Sequence, residues 1–175
     1  MQAEITETNE IASIFEHINE QSLVLFNVTG VLYEPSITLC DKQWRDYFDK
    51  RVQAIAADQA NAERFINRIK NEIVNNIPKK CLEKNTPELI RRLQADGIKV
   101  LGITKKNLSN SYSQNFGQIT NKHLLSLGID LEKTLDYLSL KEPNEEDSFT
   151  FRYGLIFTNK HPEGPALVEI GRAHV

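Results

Sequence analysis

LVLFNVTGVLY, residues 23–33, is the stretch whose reading decides the fold. Leu23, Val24, Leu25 and Phe26 form an unbroken apolar run, the pattern of a strand buried on both faces of a parallel sheet. The run stops at Asn27-Val28-Thr29-Gly30, so small polar side chains emerge at the strand's carboxyl end. In open α/β sheets that edge is where ligands bind. The plainer reading makes the segment a buried strand and turn, because short apolar strands are common.

Working outward, Ile11, Ile14, Phe15 and Ile18 share a helical stripe, which predicts an amphipathic helix ahead of the strand. On the other side, Pro35 interrupts regular structure. Trp44, Phe48, Val52 and Ile55, then Phe65, Ile66, Ile69, Ile73 and Ile77, recur at helical spacing. They predict two helices over residues 41–57 and 59–76, with Pro78 marking an end. This insertion, residues 34–80, should lie over the strand's carboxyl edge, with Trp44 and Phe48 facing Phe65 or Ile69. Its apolar stripes read as core contacts rather than a ligand box.

The next unit has clear punctuation. Thr86 suits an N-cap, Pro87 the first helical position, and Gly97 a C-terminal stop. Leu89, Ile90 and Leu93 supply the apolar face, and a second strand runs from Ile98 to Ile103, ending at Thr104. This strand is expected beside the first and parallel to it, with Asn27 and Thr104 side by side. Residues 105–118 read as a polar loop. Thr120 would cap a helix carrying Leu124, Leu125 and Leu127, closed by Gly128. PNEEDS, residues 143–148, is a solvated acidic turn without the ligand spacing of a calcium loop, and YGLIFT, residues 153–158, is another strand. The order predicts an α/β fold: a Rossmann-like parallel sheet flanked by helices, with a small helical cap inserted after the first strand.

Composition excludes little. With 175 residues, 40% of them hydrophobic, the chain can bury one core. A net charge of −3 gives no reason to expect nucleic acid as a partner, and no apolar run is long enough for a membrane span. Cys40 and Cys81 match no metal spacing and read as free thiols or a single disulfide. The acidic start, MQAEITETNE, is not a signal peptide. A cytoplasmic location is the default expectation, and a removed secretion leader would leave the same residues.

The segment Asn27 to Leu32 resembles the first motif of the haloacid dehalogenase-like (HAD) superfamily. There a hydrophobic strand is followed by two Asp residues two apart, then Gly or a similar residue, Thr or Val, and Leu. Gly30, Val31 and Leu32 fit, whereas Asn27 and Thr29 occupy both Asp positions. TPELIRRLQADGIKVLGITKKN, residues 86–107, looks like the helix and strand of the second motif, with Thr104 at the phosphoryl-binding Ser/Thr position. With LLSLGIDLEK and YGLIFTNKHPEG in order, residues 8–168 resemble one bacterial branch of HAD-like proteins of unknown function.

The resemblance implies magnesium-dependent phosphohydrolase ancestry and a phosphorylated small molecule as partner. It implies catalytic positions at Asn27, Thr29 and Thr104, metal positions at Asn27 and Thr29, and phosphate-binding positions at Thr104, Lys105 and Lys160. The departures bear on chemistry. A carboxylate can attack phosphorus to form an acyl phosphate, but Asn27 is a neutral amide and a very poor nucleophile. A second Asp would pass a proton to the leaving group, worth about 10²–10⁴-fold, and the Thr29 hydroxyl is far too weak an acid for that. In the third motif a Lys would precede Gly164, where Glu163 stands. Lys160 is the nearest substitute, and as a bland alternative it is a solvated surface charge. His161 reads as a loop residue. The acidic fourth motif, expected beyond Gly164, does not appear before the chain stops.

EIGRAHV, residues 169–175, matches what one frame of a common sequencing adapter encodes. On that reading it is an artefactual tail on a fragment, and His174 carries no function. Read as a natural tail, it carries no such implication. Two function classes follow: a catalytically degenerate relative of HAD phosphohydrolases that keeps a binding pocket, or an active magnesium-dependent phosphatase completed by missing C-terminal residues.

Overall fold

The apolar run at residues 23–26 forms a strand, and its neighbours are apolar runs of the same kind. In the computed structural model, which describes residues 7–8, 10–37, 42–56, 58–105, 116–133 and 150–158, β1 is Leu23–Asn27. It pairs in parallel with β4, Lys99–Thr104, in the register Leu23 to Lys99 through Asn27 to Ile103. β4 pairs in parallel with β6, Leu155–Phe157, and β6 pairs antiparallel with β5, Thr150–Arg152. The sheet order is β1-β4-β6-β5. The mostly parallel sheet flanked by helices is the expected Rossmann-like α/β architecture.

Alternation along the strands sends successive side chains to opposite faces. Val24, Phe26, Val100, Leu155 and Phe157 face one core with Ile90 and Leu93 of α3, Thr86–Ala95, and Leu124 of α4, Phe116–Ser126. Leu101, Ile103 and Ile156 form the second core on the other face, with Leu23, Leu25 and Phe151 against it. Burial on both faces is why these strands are apolar throughout rather than alternating. Ile90 and Leu93 are 1% and 0% exposed. Burying each such side chain is worth roughly 2 kcal/mol.

Helix ends follow backbone chemistry. After α3, Gly97 sits at φ +77°, the Ile98 N–H donates to the Leu93 carbonyl at 2.9 Å and the Gly97 N–H to the Gln94 carbonyl at 3.2 Å. That is a Schellman closure, and only Gly enters this left-handed region without strain. Gly128 closes α4 by the same pair of bonds. The start of α3 differs by one residue from expectation. Asn85 is the N-cap, Pro87 lies within the first turn, and the Thr86 hydroxyl donates to the Glu83 carbonyl at 2.8 Å. Thr120 is no cap either: α4 begins at Phe116, and Leu125 is exposed.

The insertion is built as expected around α1, Lys42–Ile55, and α2, Gln59–Asn76, which pack on each other. Asp58 caps α2, accepting from the Ala60 N–H at 2.9 Å. Trp44 stacks on Phe48 with ring centroids 5.0 Å apart, and Phe65 is exposed. The lobe joins the sheet through β2, Tyr33–Pro35, and β3, Lys79–Cys81, an antiparallel pair absent from the sequence reading. Ahead of β1 the expected helix is a 3-10 turn, Ile11–Glu16, whose Ile11, Ile14 and Phe15 pack on the first core. Cys81 is a free thiol that burial pushes upward in pKa. No described helix is long and apolar enough to cross a membrane. Cys40, Lys160, His161, the 143–148 acidic turn and the 169–175 tail lie outside the described residues.

Candidate functional site

Three strand ends meet at the carboxyl edge. Asn27 ends β1 and is exposed; Thr104 ends β4 and is buried; Thr158 follows β6 and is fully buried. The Val28 N–H donates to the Ile103 carbonyl and the Thr158 N–H to the Thr104 carbonyl, each at 3.0 Å, so pairing continues to the edge. Asn27 lies level with Ile103, one step short of Thr104. Because strand side chains alternate, Asn27 and Thr104 belong to opposite faces of neighbouring strands rather than standing strictly side by side. Lys105 follows Thr104 and is exposed.

The loop after β1 is held from below. Val28 and Leu32, 1% and 0% exposed, anchor it in the core. The Leu32 and Tyr33 N–H groups both donate to the Val28 carbonyl at 3.2 Å, and the Gly30 N–H donates to the Tyr33 carbonyl at 3.1 Å. This turn leaves Asn27, Thr29 and Gly30 facing outward. Gly30 adopts φ +88°, and among the described residues beyond its chain neighbours no atom lies within 4 Å of where its Cβ would stand. The turn needs glycine for its backbone angle.

Tyr33 joins this loop to the rest of the fold. Its buried hydroxyl hydrogen-bonds Thr29 and Thr120. Thr120 also donates to the Phe116 carbonyl at 3.0 Å, so a chain of contacts runs from Thr29 through Tyr33 and Thr120 to the helix backbone. Burial pushes the Tyr33 phenol above its usual pKa, and the two threonine hydrogen bonds pull partly against that. The Tyr33 ring meets His123 of α4 edge to face, centroids 6.1 Å apart at 76°. Sequence reading placed Thr29 at the acid's position with a hydroxyl too weak for that task, and here this hydroxyl hydrogen-bonds Tyr33. Tyr33 itself was missed; a phenol directly after the strand-end loop was the available signal.

Asn27 and Thr29 do not by themselves suit magnesium. Mg²⁺ demands near-octahedral oxygen ligation and is usually held through one or two carboxylates. Asn27 offers one neutral amide oxygen and Thr29 a neutral hydroxyl oxygen. Among the described residues no group of three or more His, Cys, Asp or Glu side chains converges.

The profile of a family described as "Protein of unknown function (DUF2608)" matches residues 4–171. The chain belongs to this family. Neither a curated protein nor a solved structure is detectably similar to it. In this DUF2608 chain the matched span takes in β1, the inserted lobe, β4 and β6, and so all the strand ends that form the edge.

Proposed function

We propose that this DUF2608 chain is a HAD-like phosphohydrolase relative that has lost phosphoryl transfer and keeps a pocket for a phosphorylated small molecule. The observation that carries the reading is Asn27: an exposed, neutral amide at the carboxyl end of β1, beside β4 in a parallel sheet. That is where an attacking carboxylate would have to stand, and an amide forms no acyl phosphate. Thr29 adds no acid, because a threonine hydroxyl is far too weak an acid for that task. Loss of a nucleophile commonly costs several orders of magnitude in rate. Lys105 is the exposed described residue next to this strand end that would face a phosphoryl group, and Thr104 and Lys160 are the further positions that the resemblance suggests.

A phosphomonoester screen with magnesium tests the reading. The unmodified protein should hydrolyse nothing above the magnesium blank, and the Asn27→Asp, Thr29→Asp double variant should gain metal binding before it gains turnover. Magnesium-dependent turnover by the unmodified chain, abolished by Asn27→Ala, would defeat the proposal and favour an active phosphatase.

A further inference from the structure

We infer that the carboxyl edge takes its oxyanion without magnesium, so that its ligand is a free phosphate group rather than a metal–phosphate pair. This rests on the phosphoryl pocket proposed above and specifies how that pocket is charged. Among the described residues the edge consists of Asn27, Thr29, Gly30, Thr104, Lys105 and Thr158, with no carboxylate. The first carboxylate after Asn27 in the chain is Glu34, and it is held in the neck by Lys80 at 3.0 Å.

Carboxylates in such a place would do two linked things. They would hold a divalent cation, and they would repel a bare phosphate until that cation screened them. Removing both charges removes the cation's anchor and the need for it together. What remains suits an anion directly. The Asn27 amide carries two N–H donors, and Lys105 adds a positive charge next to Thr104. Among the described residues nothing beyond its chain neighbours crowds the Cβ position of Gly30, beside Asn27.

The test is titration of the purified full chain with inorganic phosphate, followed calorimetrically and by amide NMR, first in EDTA and then with excess magnesium. Expected is an affinity that magnesium leaves unchanged, with shifts at the Asn27 side-chain amide. Asn27→Asp should weaken phosphate in EDTA by about tenfold, as one added like charge at short range requires, and magnesium should recover part of the loss. Asn27 is exposed, so the variants should fold, and thermal melting checks this. Asn27→Ala provides a second arm, weakening phosphate equally in EDTA and magnesium. Phosphate binding by the unmodified chain only with magnesium would overturn this inference and leave the phosphoryl pocket standing. An Asn27→Asp variant that binds as tightly as the unmodified chain in EDTA would also overturn it. No phosphate binding in either condition would overturn the inference and the pocket together.

Discussion

The His123 Nε2 lies 3.3 Å from the carbonyl oxygen of Asn75. A carbonyl can only accept, so this ring nitrogen carries the proton. Asn75 is in the last turn of α2, where helix carbonyls lack partners within the helix. A helix packed on the sheet thus satisfies the end of a helix in the inserted lobe.

His123→Ala should therefore loosen the end of α2 without unfolding the sheet. Losing one such hydrogen bond corresponds to about 1 kcal/mol. Hydrogen exchange should accelerate several-fold across residues 72–77 and stay unchanged in β4. Uniform acceleration through both would show that the contact is not local.

Gly102 and Gly154 are predicted to resist substitution for different reasons. A Cβ on Gly102 would stand 2.5 Å from Leu155 Cδ2 and 3.0 Å from Val28 Cγ2, so β4 and its neighbours would have to shift. Gly102→Ala should cost about 1–3 kcal/mol in urea unfolding, the usual range for overpacking. At Gly154 the Cβ would meet the Leu131 carbonyl oxygen at 2.4 Å, with φ at +69°. The obstacle there is backbone, so Gly154→Ala should cost more than Gly102→Ala.

Tyr33→Phe should remove about 1 kcal/mol at neutral pH by unlinking Thr29 from Thr120. It should also change the alkaline limb. The folded-state pKa of Tyr33 lies above the unfolded value of about 10, so its contribution is complete below that value. It is lost as pH rises from there through the folded pKa. Urea midpoints measured across that window should fall less steeply in the variant than in the unmodified chain.

Long apolar signals were legible in the sequence and short or polar ones were not. The runs at β1 and β4 announced strands buried on both faces, and Gly97 and Gly128 announced helix ends through their left-handed backbone. By contrast, β2 and β3 are three residues each, too short for any period to show. β5 was missed although Tyr153 and Gly154, both at positive φ, form the two-residue turn joining it to β6. Thr120 suits a cap by residue type, yet its hydroxyl bonds the carbonyl four residues back, the other local use open to threonine. At the edge, Asn27 and Thr104 were locatable from strand ends. The Tyr33 chain was not, because it depends on α4 lying against the neck.

The neck has a consequence for how this family can vary. The Ser36 N–H and hydroxyl both reach the Pro78 carbonyl at 2.9 Å, and Pro35 pairs with Lys79. The chain therefore leaves the sheet layer and returns to it at nearly the same point. Everything between is a detachable module: a turn of a few residues could bridge the two ends, and a larger lobe could hang from them. Neither exchange would disturb the register between β1 and β4. The inserted lobe is free to diversify while the strand ends of the sheet keep their shape.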